Sequence, residues 1–165
     1  MKRKRYHHIV CATRGGEESQ RTEEQATQVA QESGAALTFL YVVNPELPEA
    51  YTAKFCLELV NEGLADIGRV VLEMAQRRAA AQGVAANTAL RHGQVHEEIA
   101  AYMNENPTVD LLVLGRLGEA LQESLRPLLE QLRIQGRGVL IVEPGTPQQP
   151  RAPGGGSAGG GESER

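Results

Sequence analysis

A short apolar run that ends in a pair of glycines constrains this chain more than any other feature. Residues Val109 to Leu114 are almost continuously apolar, and Gly115 and Gly118 follow at once. A run too short for a helix and bounded by turn residues predicts a strand buried on both faces. Such strands form parallel sheets covered by helices, and these folds bind ligands just outside the carboxyl ends of the strands. The two glycines therefore either bring the backbone close to a ligand or only make the turn into the next helix.

Short apolar runs and amphipathic segments alternate along most of the chain. The predicted strands are 7–13, 37–43, 84–91, 109–114 and 139–142, and helical periodicity separates each from the next. Residues 84–91 alternate apolar and polar positions, which is typical of an exposed or edge strand. The order βαβαβαβαβ predicts an α/β fold, a single doubly wound five-stranded parallel sheet with helices on both faces.

Capping residues predict where two of the helices begin. Ser19 is the expected N-cap of the first helix, with Thr22 as an alternative one turn later. Ser124 is the expected cap of the main part of the last helix, which would place Pro127 in its first turn. The second helix is predicted from about residue 53 to residue 81, and Gly63 and Gly68 weaken it enough to allow a break or kink.

Composition divides the 165 residues into three parts. Residues 1–6 form a basic leader, 7–143 the α/β domain, and 144–165 a Pro- and Gly-rich tail that we expect to be disordered. The net charge of −4 argues against a nucleic-acid partner, and the basic run Lys2–Arg5 is interpreted as a solvated leader. No run approaches the ~18 apolar residues of a membrane span, so no membrane contact is expected.

Two cysteines, Cys11 and Cys56, are present, and they lack the Cys-x-x-Cys spacing of metal or redox sites. Cys11 lies within an apolar strand pattern, where a free thiol acts as a small hydrophobic residue. We therefore expect a reduced, cytoplasmic protein without a metal site.

Five segments of the chain, taken in order, carry a resemblance to known proteins: 9–19, 40–43, 91–99, 110–118 and 138–142. In this order and spacing they resemble the universal stress protein family. The similarity covers about His7 to Glu143, and the stretch with Gly115 and Gly118 is its most specific part.

This resemblance implies a sheet in the order 3-2-1-4-5 and a homodimer, often formed by antiparallel pairing of the last strand, here Val139–Val142. Many members of the family bind ATP through Gly-x-x-Gly, nine further residues, and then Gly-Ser or Gly-Thr, whereas others bind no nucleotide. By the same resemblance, the ligand-binding residues, if any, are Thr13, Arg14, Gly15, Val42, Gly115, Arg116 and Gly118.

Two departures from the family pattern concern the nucleotide. Arg14 stands where ATP-binding members carry an Asp that contacts the nucleoside. Nine residues after Gly118 the chain has Leu128–Leu129, and alignment backwards from the last strand gives Leu125–Arg126. Neither alignment supplies the glycine and hydroxyl that hold a phosphate at a helix start.

Three functions follow as alternatives. The favoured one is a non-enzymatic, dimeric stress-response protein that does not bind ATP in the usual way, needs no cofactor, and acts through an unknown protein partner. The second is a sensor in which Arg14, Arg116 and Arg126 hold an anion or an altered nucleotide at the carboxyl edge of the sheet. The third is an enzyme using His92, His96 and Glu97, for which the chain lacks a nucleophile elbow, a complete P-loop and a metal-binding spacing.

Overall fold

The architecture alternates strand and helix from one end of the domain to the other. It is given by a computed structural model that describes residues 5–44 and 54–143, with side chains from residue 58 onward in the second range. The strands are β1 His8–Ala12, β2 Ala36–Val43, β3 Ala86–His92, β4 Leu111–Gly115 and β5 Gly138–Val142. The helices are α1 Gly16–Ser33, α2 Lys54–Ala81, α3 Val95–Glu105 and α4 Glu119–Ile134.

The five strands form one parallel sheet in the order β3-β2-β1-β4-β5, which confirms the predicted fold and strand order. β1 lies at the centre, where Val10 is opposite Thr38 of β2 and Leu112 of β4. The strand order reverses between β1 and β4, and a doubly wound sheet opens a crevice at that point. β3 is an edge strand, as its alternating pattern predicted.

Alternate residues of the central strands enter two separate cores. Ile9 and Cys11 of β1 pack with α1 and α2 on one face of the sheet, whereas Val10 packs with α3 and α4 on the other. Because both faces are covered, β1 and β4 are apolar at almost every position. The two layers place the amino ends of the helices at the carboxyl edge of the sheet.

The predicted cap of α1 was wrong. The helix begins at Gly16 with Gly15 as its N-cap, so Ser19 lies inside the first turn and accepts a hydrogen bond from the Arg14 amide at 3.2 Å. Thr22 is buried in the helix interior rather than at its start. Gly15 and Gly16 adopt φ values of +81° and +86°, which bring the chain into the helix without a side-chain cap.

The predicted start of the last helix was also wrong. α4 begins at Glu119, immediately after its N-cap Gly118, and Ser124 bonds to the Ala120 carbonyl within the helix. Pro127 therefore lies in the helix interior and not in the first turn. The buried face formed by Leu125, Leu128 and Leu132 explains why the helix continues past residues that usually interrupt one.

α2 continues through both of its glycines without the break that they allowed. Gly68 packs directly against the sheet, where a Cβ atom would lie 2.7 Å from the Tyr41 ring. Within the described ranges, no helix combines the length and apolarity needed to cross a bilayer. The predictions for residues 1–4 of the leader, for the side chain of Cys56 and for the tail 144–165 fall outside the described structure.

Candidate ligand-binding cleft

A cleft of about 260 Å³ opens at the carboxyl edge of the sheet, between β1 and β4. Six of the seven predicted ligand residues line it: Thr13, Arg14, Gly15, Val42, Gly115 and Arg116. The cleft is slightly smaller than the roughly 300–1,000 Å³ usual for ligand pockets. The topology alone brings these residues together, since the carboxyl ends of β1, β2 and β4 meet there.

The loop between β1 and α1 forms one side of the mouth. Gly15 has a positive φ, and a Cβ on it would approach Val71 of α2 to 2.8 Å, so both its backbone angle and its contact with α2 require glycine. Arg14 extends across the mouth and donates from Nη2 to the Arg116 carbonyl at 3.2 Å. Arg14 thus reaches the loop that carries Arg116, and both residues line the cleft together with Glu18.

Gly115 ends β4 directly against α1. A Cβ at this position would lie 2.9 Å from Thr22 Oγ1, so the glycine permits the close approach of the helix to the strand. Gly118 differs, because it does not line the cleft, its φ is −65°, and an added Cβ would meet nothing within 4 Å. Of the pair, only Gly115 therefore has a packing reason to be glycine.

The inner wall of the cleft is largely apolar. It is formed by side chains from β2, α3, β4, α4 and the loop between β4 and α4: Leu40, Val42, Val95, Ile99, Leu114, Leu117 and Leu121. Besides Arg14 and Arg116, the polar groups lie on the α1 side, where Glu18, Ser19 and Thr22 accompany Thr13. A bound molecule would meet charge at the mouth and hydrocarbon inside.

A buried polar network supports the loop from below. Thr13 Oγ1 donates to Glu23 Oε2 at 2.6 Å and accepts from the Gly15 amide at 3.3 Å. The other carboxylate oxygen of Glu23 accepts from Arg78 Nη2 of α2 at 2.5 Å. Only 3% of the Glu23 side chain is exposed, so this carboxylate depends on its partners.

Sequence reasoning missed Glu23 and Arg78. The available signal was the position of Glu23, three and seven residues before Ala26 and Ala30, which places a carboxylate on the buried face of α1. The identity of its partner had no local signal, because Arg78 lies 55 residues away on another helix.

Other residues considered for ligands or catalysis lie elsewhere. Arg126 pairs with Glu123 at 2.8 Å and lines a groove between α4 and β5, so it does not join Arg14 and Arg116. His92, His96 and Glu97 do not line the cleft. No cluster of three metal-ligating side chains occurs within residues 5–44 and 58–143. Cys11 is fully buried, and both burial and the nearby Glu23 charge raise the pKa of its thiol.

A doubly wound parallel sheet with a crevice at its switch point defines a class of α/β protein in which ligands bind outside the carboxyl ends of the strands. Comparison with known proteins narrows this class. The model of the universal stress protein family matches residues 5–132. The chain therefore belongs to that family, a family of general stress-response proteins.

Individual relatives agree with this assignment. A universal stress protein of Methanocaldococcus jannaschii is 29% identical over 114 residues, which make up 69% of this chain and 66% of the relative's length. The structure of a universal stress protein from Lactobacillus plantarum has a TM-score of 0.65 at 22% identity, covering 85% of this chain and 99% of its own. A universal stress protein in complex with cAMP has a TM-score of 0.60 at 24% identity, covering 86% and 99%. The structural likenesses support the fold.

Proposed function

We propose that this protein is a non-enzymatic, cytoplasmic stress-response regulator that forms a homodimer and does not bind ATP in the usual manner of its family. In this role the protein would act by binding a protein partner and would not catalyse a reaction. The buried, unpaired thiol of Cys11 agrees with a reducing compartment.

The observation that carries this proposal is the unbroken helix after Gly118. α4 runs from Glu119 to Ile134, so its backbone amides beyond the first turn bond within the helix and are not available to a phosphate. Leu125 and Leu128, at the positions where either alignment seeks a glycine, are buried in the core. Glu119 and, on α1, Glu17 and Glu18 place carboxylates in the first turns, which oppose anion binding at these helix ends.

The outer edge of β5 supports the proposed dimer. Among the described residues β5 is an edge strand with β4 as its neighbour, and Ile141 remains 39% exposed beside α4. Leu129, Val139 and Ile141 line a groove along this edge, and Gln122, Arg126, Glu130, Arg133 and Arg137 surround it. An apolar centre within a polar rim is typical of interfaces, and antiparallel pairing of residues 139–142 would satisfy the free edge.

Thermal unfolding of the full chain tests the nucleotide half of the proposal. It is measured with no ligand, with ATP–Mg²⁺, with AMP, and with inorganic phosphate. A ligand at 100 times its Kd adds about 2.7 kcal/mol to the free energy of unfolding, which raises the Tm by roughly 5–10 °C. We expect unchanged curves with all three, and a rise with ATP–Mg²⁺ would contradict the proposal.

Sedimentation velocity over a concentration series tests the dimer. Ile141→Asp and Val139→Asp each place a charge in the apolar edge and should dissociate a β5 dimer. Ile141→Asp gives the clearer test, because Val139 also packs against the core below α4 and its variant would disturb that core too. Ile134→Asp, at a side chain that is 77% exposed and does not line the groove, is the matched control. An Ile141→Asp profile identical to that of the wild type would reject this interface.

One observation favours a second candidate, an anion- or nucleotide-binding sensor with an altered site. Arg14 and Arg116 both line the cleft with most of the predicted ligand residues, and a similar structure is of a complex with cAMP. For this candidate, inorganic phosphate, AMP or cAMP should raise the Tm of the wild type. Arg14→Ala or Arg116→Ala should abolish the rise, whereas Arg126→Ala, outside the cleft, should keep it. A rise that Arg14→Ala leaves unchanged would exclude this cleft as the binding site.

A further inference from the structure

The long helix α2 has apolar residues on its solvent side as well as on its buried side. Leu59, Ile67, Val70 and Met74 are each between 50% and 55% exposed. With Gly63 they follow steps of four, four, three and four residues, so they form one stripe along the helix. We name these five residues the α2 stripe.

The α2 stripe lies opposite the face that holds α2 to the sheet. The buried face contains Ala65, Leu72, Ala75 and Ala79, which pack over β2 and β3. The stripe therefore contributes nothing to the core of one molecule. From residue 59 to residue 74 it extends about 22 Å along the helix axis. Exposed apolar side chains in one continuous row mark an interaction surface.

The charges beside the α2 stripe identify its occupant. One flank carries charges in the order negative, positive, negative, positive, arranged as two ion pairs within the helix, Asp66–Arg69 and Glu73–Arg77, at 2.7 Å each. This series reads positive, negative, positive, negative in the reverse direction. When two copies of the helix pack antiparallel, the same flanks meet, so that each charge faces its opposite. In parallel packing about a two-fold axis this flank would instead meet the opposite flank of the second copy.

We propose that the α2 stripe binds the α2 stripe of a second copy of this chain in an antiparallel, two-fold-symmetric helix pair. Val70 lies at the axis against Val70 of the second copy, and Ile67 lies against Met74. In the same register Asp66 faces Arg77, and Arg69 faces Glu73. A two-fold interface is self-complementary, and this flank meets that requirement.

This interface is independent of the proposed β5 dimer, because α2 covers the β2–β3 side of the sheet and β5 is the opposite edge. Two different two-fold interfaces on one chain produce tetramers or longer assemblies. Stable complexes typically bury about 1,600 Å², so association through a single helix pair is measured over a concentration series.

Sedimentation velocity of the full chain tests the proposal in four forms: wild type, Ile141→Asp, Val70→Asp and the double variant. Ile141→Asp should still dimerise, and Val70→Asp in that background should weaken this association by roughly a hundredfold or more, because a charge would be buried on the axis. Wild-type association that is lost with Val70→Asp but not with Ile141→Asp would support the helix pair and reject the β5 dimer. A monomeric Ile141→Asp chain at all concentrations would overturn the helix pair and leave this face to a different protein.

Charge exchange tests the antiparallel register in the Ile141→Asp background. Asp66→Arg alone and Arg77→Asp alone should each weaken the association, since each places like charges across the interface. The double exchange should restore it. If the substitutions only damaged α2, their effects would add in the double variant. A double variant that associates more weakly than both single variants would therefore contradict the register.

Discussion

Thr13 at the end of β1 donates a 2.6 Å hydrogen bond to Glu23 of α1, and both side chains are buried. Thr13 also accepts the amide of Gly15, the residue at which the cleft loop turns into the helix. The carboxylate is shared with Arg78 of α2. The shape of the cleft loop is thereby tied to an ion pair between two helices.

Arg78→Met should lower the free energy of unfolding by about 2–4 kcal/mol, because the Glu23 carboxylate would remain buried without its charged partner. This expected loss is smaller than for a fully buried ion pair, since 34% of the Arg78 side chain is exposed. Glu23→Leu combined with Arg78→Met should recover most of the loss. Urea denaturation measures both, with Glu123→Gln of an exposed pair as the control. A double variant no more stable than Arg78→Met would contradict this account.

Gly115→Ala should destabilise the protein by about 1–3 kcal/mol, because its Cβ would lie 2.9 Å from Thr22 Oγ1 and α1 would have to shift. Gly118→Ala is the matched control, since an added Cβ there meets nothing within 4 Å. Its effect should stay within about 0.5 kcal/mol, as a weaker N-cap is offset by a less flexible unfolded chain. Chemical denaturation of the two variants compares them. Equal losses would show that the contact with Thr22 is not the cause.

The two glycines of α2 should respond to alanine with opposite signs. Gly68→Ala places a Cβ within 2.7 Å of the Tyr41 ring and 2.9 Å of Leu90, which should cost about 1–3 kcal/mol. Gly63→Ala meets nothing within 4 Å and should stabilise the helix by about 0.5–1 kcal/mol. Thermal and urea unfolding at low protein concentration measure the difference. A stabilising Gly68→Ala would mean that α2 does not pack closely on β2.

Asp110 should make stability depend on pH in the acid range. Burial, the largest single influence, raises the pKa of this carboxyl, but the hydrogen bonds from His8 and His7 together outweigh it, so the pKa of Asp110 is lower than its ordinary 3.8. A lowered pKa in the folded state contributes stability at a pH above the ordinary value. That contribution is lost as the pH falls through the folded-state pKa.

Asp110→Asn should therefore be less stable than the wild type by about 1–2 kcal/mol near pH 7, through weaker acceptance of the two amides. The difference should shrink as the pH falls below the ordinary value. Urea denaturation at a series of pH values measures it, with the exposed Glu123→Gln as control. If the difference in the free energy of unfolding stayed constant down to the lowest pH measured, the carboxylate charge would not be its cause.

Much of the fold followed from local sequence, because short apolar runs buried on both faces have few alternatives to a parallel sheet. The helix starts did not follow. Ser19 and Ser124 are good capping residues, yet Gly15 and Gly118 occupy the caps because buried faces determine where the helices begin. The cleft residues were predicted by resemblance and grouped by topology, whereas the support of Thr13 by Glu23 and Arg78 spans three elements and left no local pattern.

The sequence by itself determined the strand and helix order, the exposed character of β3, and the absence of the second glycine and hydroxyl needed for a phosphate loop. These are properties of single residues and short periodicities. Tertiary structure decided which glycines need to be glycine, where a buried carboxylate finds its cation, and which apolar residues of α2 remain outside. Those outcomes depend on distances between segments far apart in the chain, which periodicity along one segment does not encode.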